Sequence, residues 1–507
     1  MSVSATAVIL LTPALPLGIS GEWTWQRHIL PGLPLIGGGS LAEWAERLLP
    51  AFLAGLLLFA VWFYGERIVD RWRGRPAVIT ACYVLLLCTG WLWLQAVQSS
   101  TPLTHRNLKP LWVLYDPGAS GYFFEAAHRI DDVHSFLKSY EDRMAEGEVL
   151  HVGTHPPGLF LLSWGSIEAC EQSPSLRELV FWCGSSEQRE AFRLLEERAF
   201  LARPLSDAEL AGLQLMSLLT TASAVGVILP LSVIGWWMFG RILTWRLCCL
   251  WLTVPAIAVF LPKSDVLFAL TTTSVLVLFL CAQRSAIRPS ILLAVFAGVV
   301  SWLGLLLSLA HLPMLVALCL YAGLMWFLDR RDFQRAVQSL AVMLTTIVLL
   351  TLIWNHFTGC NLWNVWSWNL SNHDRFYSQF TRTAWKWLLV NPFELSLAAG
   401  LPIALVAARG VVAPLYRWNA SSDPAERRQV ALSLALAGTW LLLLLSGKNQ
   451  GEAARLWCFL MPWVLLCATN VFDQDDAAAS RSDFRRLLIC QLLVAVLTVG
   501  TVSGFSF

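Results

Sequence analysis

Residues 290–310 read SILLAVFAGVVSWLGLLLSLA, a run without a single charged side chain. As an α-helix rising 1.5 Å per residue it measures roughly 30 Å, the thickness of a bilayer's hydrocarbon core. Working outward, similar windows recur near 50–65, 77–97, 214–238, 247–262, 266–282, 312–328, 337–356, 393–410, 430–446, 456–470 and 488–505. A further stretch, 7–19, is short and contains Pro13 and Pro16. It lacks the basic n-region of a cleavable signal peptide, so it counts as a first span. The expected fold class is therefore all-α, a polytopic transmembrane helical bundle of 12 or 13 spans.

Composition agrees. Of 507 residues, 56% are hydrophobic and 14% charged, where a soluble domain carries about 25% charged residues. That excludes a water-soluble enzyme with one exposed surface. A net charge of +2 excludes a polybasic nucleic-acid binder. The 26 Trp and 26 Phe suit lipid-facing helices and interfacial belts.

Arginine sets the orientation. If the turn at 65–76 is cytoplasmic, Arg67, Arg71, Arg73 and Arg75 lie inside. Every second connection after it is then also basic: Arg241 and Arg246; Arg284 and Arg288; Arg330, Arg331 and Arg335; Arg409, Arg417, Arg427 and Arg428; Arg481, Arg485 and Arg486. This is the positive-inside pattern. It leaves 98–213, the corner 263–265, 357–392 and 446–455 outside. The chain thus divides into N-terminal spans (1–97), a large extracytoplasmic loop domain (98–213), a central transmembrane core (214–356), a Trp/Asn-rich extracytoplasmic loop (357–392) and C-terminal spans (393–507). No internal repeat of the transporter kind is visible.

Most of the 12 cysteines, among them Cys82, Cys248, Cys249 and Cys490, sit in apolar runs and read as small apolar residues. None has zinc spacing. Cys170 and Cys183 share one polar segment and either pair or stay free. Ser206 with Glu209 has the spacing of a capping box for the helix that re-enters the membrane, and Ser185 with Gln188 repeats it for a surface helix.

Four outside constellations can carry chemistry. The first is Tyr115-Asp116-Pro117-Gly118, followed by Gly121-Tyr122-Phe123-Phe124-Glu125. Asp116 stands where a base is needed if one substrate is a lipid and the other arrives from water. Its plainer role is to cap a helix around 118–128. The second is His151-Val152-Gly153-Thr154-His155-Pro156-Pro157-Gly158. The prolines argue against a helix presenting both histidines to zinc. His155 is a candidate hydrogen-bond donor to a phosphate, against a rigid turn whose histidines are merely solvated. The third is the corner Lys263-Ser264-Asp265, whose charges either reach headgroup water or point into a cavity. The fourth, Ser446 to Trp457, holds Lys448, Glu452 and Arg455. An Arg opening a helix wants an anion, and phosphate fits its fork. A Glu452–Arg455 ion pair is the competing reading. The 357–392 segment alternates Trp363, Trp366 and Trp368 with Asn361, Asn364 and Asn369. It suits either a sugar contact or an interfacial belt.

The order of these features, an outside Asp after an early span, an HPP segment, a multi-span core and a late Arg-bearing loop, resembles the GT-C superfamily of polyprenyl-phosphate-sugar-dependent glycosyltransferases. The resemblance is nearest to bacterial members related to the dolichyl-phosphate-mannose–protein mannosyltransferases. It is carried by Asp116, Tyr122, Glu125 and Ala126, by Thr154-His155-Pro156-Pro157-Gly158, and by Gly451-Glu452-Ala453-Ala454-Arg455-Leu456-Trp457. This chain departs from the family in having Pro117 where a second acidic residue is common, and Gly158 where the family has leucine.

The resemblance implies inverting transfer of a hexosyl or pentosyl group from a polyprenyl-phosphate donor to an acceptor glycan, lipid or protein. Asp116 would be the catalytic base. Glu125, His155, Lys263, Asp265, Lys448, Glu452 and Arg455 would bind substrate, with Arg455, Lys448 and Lys263 receiving the leaving phosphate. Some family members use a divalent metal, and Asp116, Glu125 and Asp265 offer hard oxygens for one. The expected location is a bacterial inner membrane. Two other classes stay open: a transporter or flippase of a lipid-linked saccharide, and a non-catalytic membrane scaffold.

Overall fold

The computed structural model describes residues 2–11, 41–100, 108–184, 186–198, 203–417, 424–472 and 477–502. Most of the expected span 7–19, and Ser185, lie outside them. Every regular element among the described residues is helical. Among the described residues, eight stretches are long and apolar enough to cross a membrane, from Ala45–Arg71 and Pro76–Gln98 through Ile287–Leu307 and Arg330–Thr358 to Pro424–Leu445. The chain is a multi-pass, all-α membrane protein.

One of the eight, Asp207–Phe260, is 54 residues long, which as a straight helix would be ~80 Å. It is not straight. Gly240 takes φ +72 inside it, and the arms fold back on each other. The Trp251 indole donates to the Ala224 carbonyl at 2.7 Å and the Cys248 thiol approaches the Ile228 carbonyl at 3.7 Å. The expected spans 214–238 and 247–262 are thus the two arms of a hairpin.

Two other expected spans differ. The window 393–410 is not one straight helix: Ala384–Ala399 and Leu401–Ala413 meet at 113°, across Gly400 with φ +90. Gln491 explains why the bend is tolerated, because its amide donates to the freed carbonyl of Ala399 at 2.7 Å and to Thr253 at 3.2 Å. The window 456–470 forms only the shorter helix Cys458–Thr469, ~18 Å long and too short to span.

The two large polar segments are helical rather than looped. Segment 98–213 folds into short helices including Leu108–Tyr115, Tyr122–Arg129, Gly158–Gln172 and Pro174–Trp182. Half of segment 357–392 is the helix Leu362–Gln379, and its end begins the helix Ala384–Ala399. The Ser206–Glu209 capping box forms in full. Cys170 and Cys183 do not pair: one thiol is buried, the other exposed.

The arginine-bearing connections interlock at one end. Arg246 reaches Glu66 with two bonds of 3.0 Å, Arg481 joins the same carboxylate at 2.6 Å, and Arg241 donates to the Arg73 carbonyl at 2.8 Å. Arg428 pairs with Asp332 at 2.5 and 3.2 Å, while Arg335 donates to the Gln283 carbonyl at 2.9 Å. Trp62 turns its indole N–H to Glu66 at 3.1 Å and completes the buried pair.

Candidate functional site

At the other end, the four outside segments converge. Asp116 does not cap a helix at 118–128, because the helix begins only at Tyr122 after Gly121, whose φ is +76. Instead Asp116 closes the turn before it. Its carbonyl accepts from the N–H groups of Ala119, Ser120 and Gly121 at 2.9 to 3.1 Å, and its Oδ1 accepts from Ala119 N–H at 2.9 Å. Among the described residues no donor meets Oδ2.

The HPP segment is a rigid turn built against this one. Glu148 accepts from the backbone of Leu150 at 2.6 Å, His151 at 3.1 Å and Gly153 at 2.8 Å. From the helix Leu362–Gln379, Asn369 donates to the Gly153 and His155 carbonyls at 3.0 and 3.2 Å. Asn372 from the same helix donates to Gly153 at 2.9 Å and to Met144 at 2.9 Å. Both asparagines are therefore buried clamps and not sugar contacts, a role their Trp/Asn-rich context does not reveal. The glycine at position 158, in place of the family's leucine, also has a cause. A Cβ on Gly158 would lie 2.4 Å from the Leu306 carbonyl oxygen, so only glycine fits there.

The tautomer of His155 follows from its neighbours. Nδ1 lies 3.1 Å from the His151 carbonyl, which can only accept, so Nδ1 carries the proton. Thr154 Oγ1 stands 3.1 Å from the same nitrogen, its own hydrogen given to Leu150 at 2.8 Å. Burial, with the charges of Lys263 and Arg455 adding to it, pushes His155 down to about 3 and keeps it neutral. Nε2 is then an acceptor, the reverse of the phosphate-donor role expected from sequence. His151 points Nε2 at the Gly118 carbonyl, 3.0 Å away, and so ties the HPP turn to the Asp116 turn. Tyr122 packs its ring against both imidazoles, with centroids 6.3 and 5.2 Å away.

The corner at 263–265 enters from the membrane side. Lys263 donates to the Ala119 carbonyl and lies 3.1 Å from Ser120 Oγ, with its ammonium 5.8 Å above the Tyr122 ring. Burial, reinforced by Arg455, pulls it down to about 7, while Asp265, Glu452 and Asp116 oppose that shift. Asp265 Oδ2 is 4.0 Å from Arg455 Nε, and Arg455 also pairs with Glu452 at 2.5 Å. Both readings of Arg455 meet here, since the internal pair forms and yet its buried Nε has no hydrogen-bond partner. Glu452 holds φ +55, a left-handed backbone that costs a non-glycine residue energy.

Two expected site residues stand elsewhere. Glu125 is buried between Arg129 at 2.7 Å and Arg143 at 3.1 Å, both oxygens engaged. Lys448 forms an exposed ion pair with Asp374. Among the described residues no group of three or more His, Cys, Asp or Glu could hold a metal ion, so Asp116, Glu125 and Asp265 do not form one. A residue that sequence reading passed over is Glu394, which faces the backbone N–H groups of Ala453 and Ala454 and so steadies the turn bearing Arg455. Its signal was present: it is the one carboxylate inside the apolar window 393–410. From the same helix, Pro392 and Leu395 open onto an apolar cavity of about 550 Å³ that Trp440, Leu460 and Trp463 also line.

No protein-family model matches the chain, and no curated protein matches it either. Among solved structures, the chain is similar to the oligosaccharyltransferase of Archaeoglobus fulgidus in its complex with Zn and sulfate. That match has a TM-score of 0.43 and 12% identity, over 79% of this chain and 53% of the other. It is also similar to oligosaccharyltransferase AglB from Archaeoglobus fulgidus in complex with an inhibitory peptide and a dolichol-phosphate. There the TM-score is 0.46 and the identity 11%, over 84% of this chain and 56% of the other. The chain thus spans a little over half the length of either. The functional reading rests on the residues themselves.

Proposed function

We propose that this chain is an inverting glycosyltransferase of the GT-C type, moving a sugar from a polyprenyl-phosphate donor to an acceptor glycan, lipid or protein. The observation that carries the reading is one juxtaposition. The turn that carries the carboxylate of Asp116 is held by the buried Lys263, and a second buried cation, Arg455, acts on Lys263 and pairs with Asp265 two residues on, so that three distant parts of the chain meet at one place.

In this reading the acceptor hydroxyl gives its proton to Asp116 Oδ2 as its oxygen attacks the anomeric carbon. The bond from that carbon to the phosphate oxygen breaks on the opposite face, which inverts the centre. Polyprenyl phosphate leaves with the electron pair, and Lys263 and the unpartnered Nε of Arg455 meet its growing charge in a site that excludes water. Asp265 and Glu452 hold Arg455 in place, and the neutral Nε2 of His155 is left to accept a hydrogen bond from a sugar or acceptor hydroxyl. The apolar cavity beside Glu394 takes the first isoprenes of the donor. With the arginine-rich connections on the cytoplasmic side, the site faces outward from a plasma membrane, bacterial by the same reading.

The test uses purified protein in lipid nanodiscs with a panel of hexosyl and pentosyl polyprenyl phosphates and a range of acceptors. Release of polyprenyl phosphate is followed for wild type and Asp116→Asn. Release that disappears in the variant supports both donor class and base. Release that survives removes Asp116 as the base. No release with any donor returns the chain to the transporter class.

A further inference from the structure

The arginine-rich end holds a second set of polar groups that the transfer reaction does not use. Trp237 of the hairpin, Gln283 and Arg284 at the end of Ser264–Arg284, Tyr321, and Arg428 near the start of Pro424–Leu445 line a small cavity of about 30 Å³. Its donors outnumber its acceptors. Tyr321 is 1% exposed and its hydroxyl has no partner; Gln283 is 5% exposed and its Nε2 has none. Native proteins rarely leave such groups unpaired. Arg284 forms no hydrogen bond or ion pair among the described residues. Its guanidinium lies 5.2 Å from the Trp237 ring centroid, and the carboxylate nearby, Asp332, is already held by Arg428 at 2.5 and 3.2 Å.

An unmatched guanidinium at the opening, with an unpaired amide N–H and a phenol buried beside it, calls for an anion with several acceptor oxygens. The position narrows its source. One lining helix ends at Arg284 and another begins at Pro424, so the opening lies where spans meet the interface and where headgroups sit. The rest of the lining is apolar, with Met238, Leu280 and Leu432 beside the polar groups. The volume accommodates phosphate oxygens while the remainder of a lipid extends out between the helices.

We propose that this cavity binds the phosphate of an anionic phospholipid, on the face opposite Asp116. The site is independent of the transfer reaction.

The full chain, purified in neutral detergent, is titrated with phosphatidylglycerol, phosphatidylcholine or inorganic phosphate. Melting temperature and lipid retention in native mass spectrometry are read for wild type, Arg284→Gln and Tyr321→Phe. Phosphatidylglycerol is expected to raise the melting temperature and to be retained, while phosphatidylcholine does neither. Arg284→Gln should abolish that response. Tyr321→Phe, which deletes one hydroxyl and keeps the ring, should weaken binding about tenfold, the effect of one bond to a charged group. If Arg284→Gln does not fold, the phenylalanine variant alone decides. Equal responses to both lipids, or a phosphatidylglycerol response unchanged in the variants, would overturn the proposal. A shift reproduced by millimolar inorganic phosphate alone would overturn the lipid and leave a soluble-anion site.

Discussion

Lys263 donates its side-chain ammonium to the carbonyl of Ala119, 144 residues earlier in the chain. One hydrogen bond thereby fixes the corner between two membrane helices to the turn that carries Asp116. The same ammonium lies near Arg455 and is shifted by it. Lys263 is the hinge pin of the site, and its titration should be visible.

Burial holds Lys263 at about 7 in the folded protein against an ordinary value of 10.5. Between those values the unfolded chain keeps the proton and the folded chain does not, so stability should rise with pH across that window. Donor turnover should move the other way, falling as pH passes about 7 and the cation that meets the phosphate is lost. Thermal melts and initial rates from pH 6 to 10 measure the two trends. In Lys263→Met both should flatten, and rates that keep the same alkaline fall would remove Lys263 from phosphate handling.

Gly158→Ala should destabilise the protein by roughly 1–3 kcal/mol, the range for overpacking. The added carbon meets the Leu306 backbone at 2.4 Å, and backbone cannot swing aside. Denaturation in detergent checks the stability. Activity should fall with it, because the HPP turn would be displaced from His151's contact with Gly118.

Glu66→Ala should cost more, about 3–5 kcal/mol, because it strands a buried guanidinium. Arg246 is 3% exposed and depends on that carboxylate. Arg481 is half in solvent and should suffer less, so Arg481→Ala is the milder change. A melting series over the three variants, with Arg246→Ala as the third, gives the order. Equal losses for Glu66→Ala and Arg481→Ala would contradict it.

A membrane-impermeant maleimide should label Cys183 without any reductant and reach Cys170 only after unfolding, since one thiol is exposed and the other buried. Peptide mapping after labelling reads both. A cross-linked pair on a non-reducing gel would be the opposite result.

Much of this architecture is legible in sequence because a membrane imposes a length and a charge rule on every window. The apolar run 290–310 emerges as Ile287–Leu307, and connections grouped by their arginines meet through Glu66, Arg246, Arg481, Asp332 and Arg428. Breaks were less visible. The window 393–410 bends at Gly400 because Gln491, far along the chain, satisfies the carbonyl that the bend exposes. Hydropathy averages over such partners.

The site was legible by residue type and not by partner. Asp116, Lys263, Asp265 and Arg455 come together, yet nothing in the spacing of Glu125 says that Arg129 and Arg143 consume it. Likewise Asn369 reads as either a sugar contact or part of an interfacial belt until the backbone carbonyls of Gly153 and His155 are placed opposite it. Exposure, which decides between a clamp and a contact, is a property of the folded chain.

The Glu66 carboxylate also sets an order in time. It belongs to the helix Ala45–Arg71, while its partners are made much later: Arg246, 180 residues on, and Arg481, 415 residues on. During synthesis the carboxylate must wait with a single guanidinium until the helix Ala477–Thr501 arrives. Segment 98–213 and the corner at 263–265 are complete well before that, so the Asp116 turn and Lys263 can meet while the far end is still open. The helix Ala477–Thr501 therefore acts as a latch of assembly, and a chain without it would carry its Ala119–Lys263 contact in a bundle whose Glu66 lacks one of its two guanidinium partners.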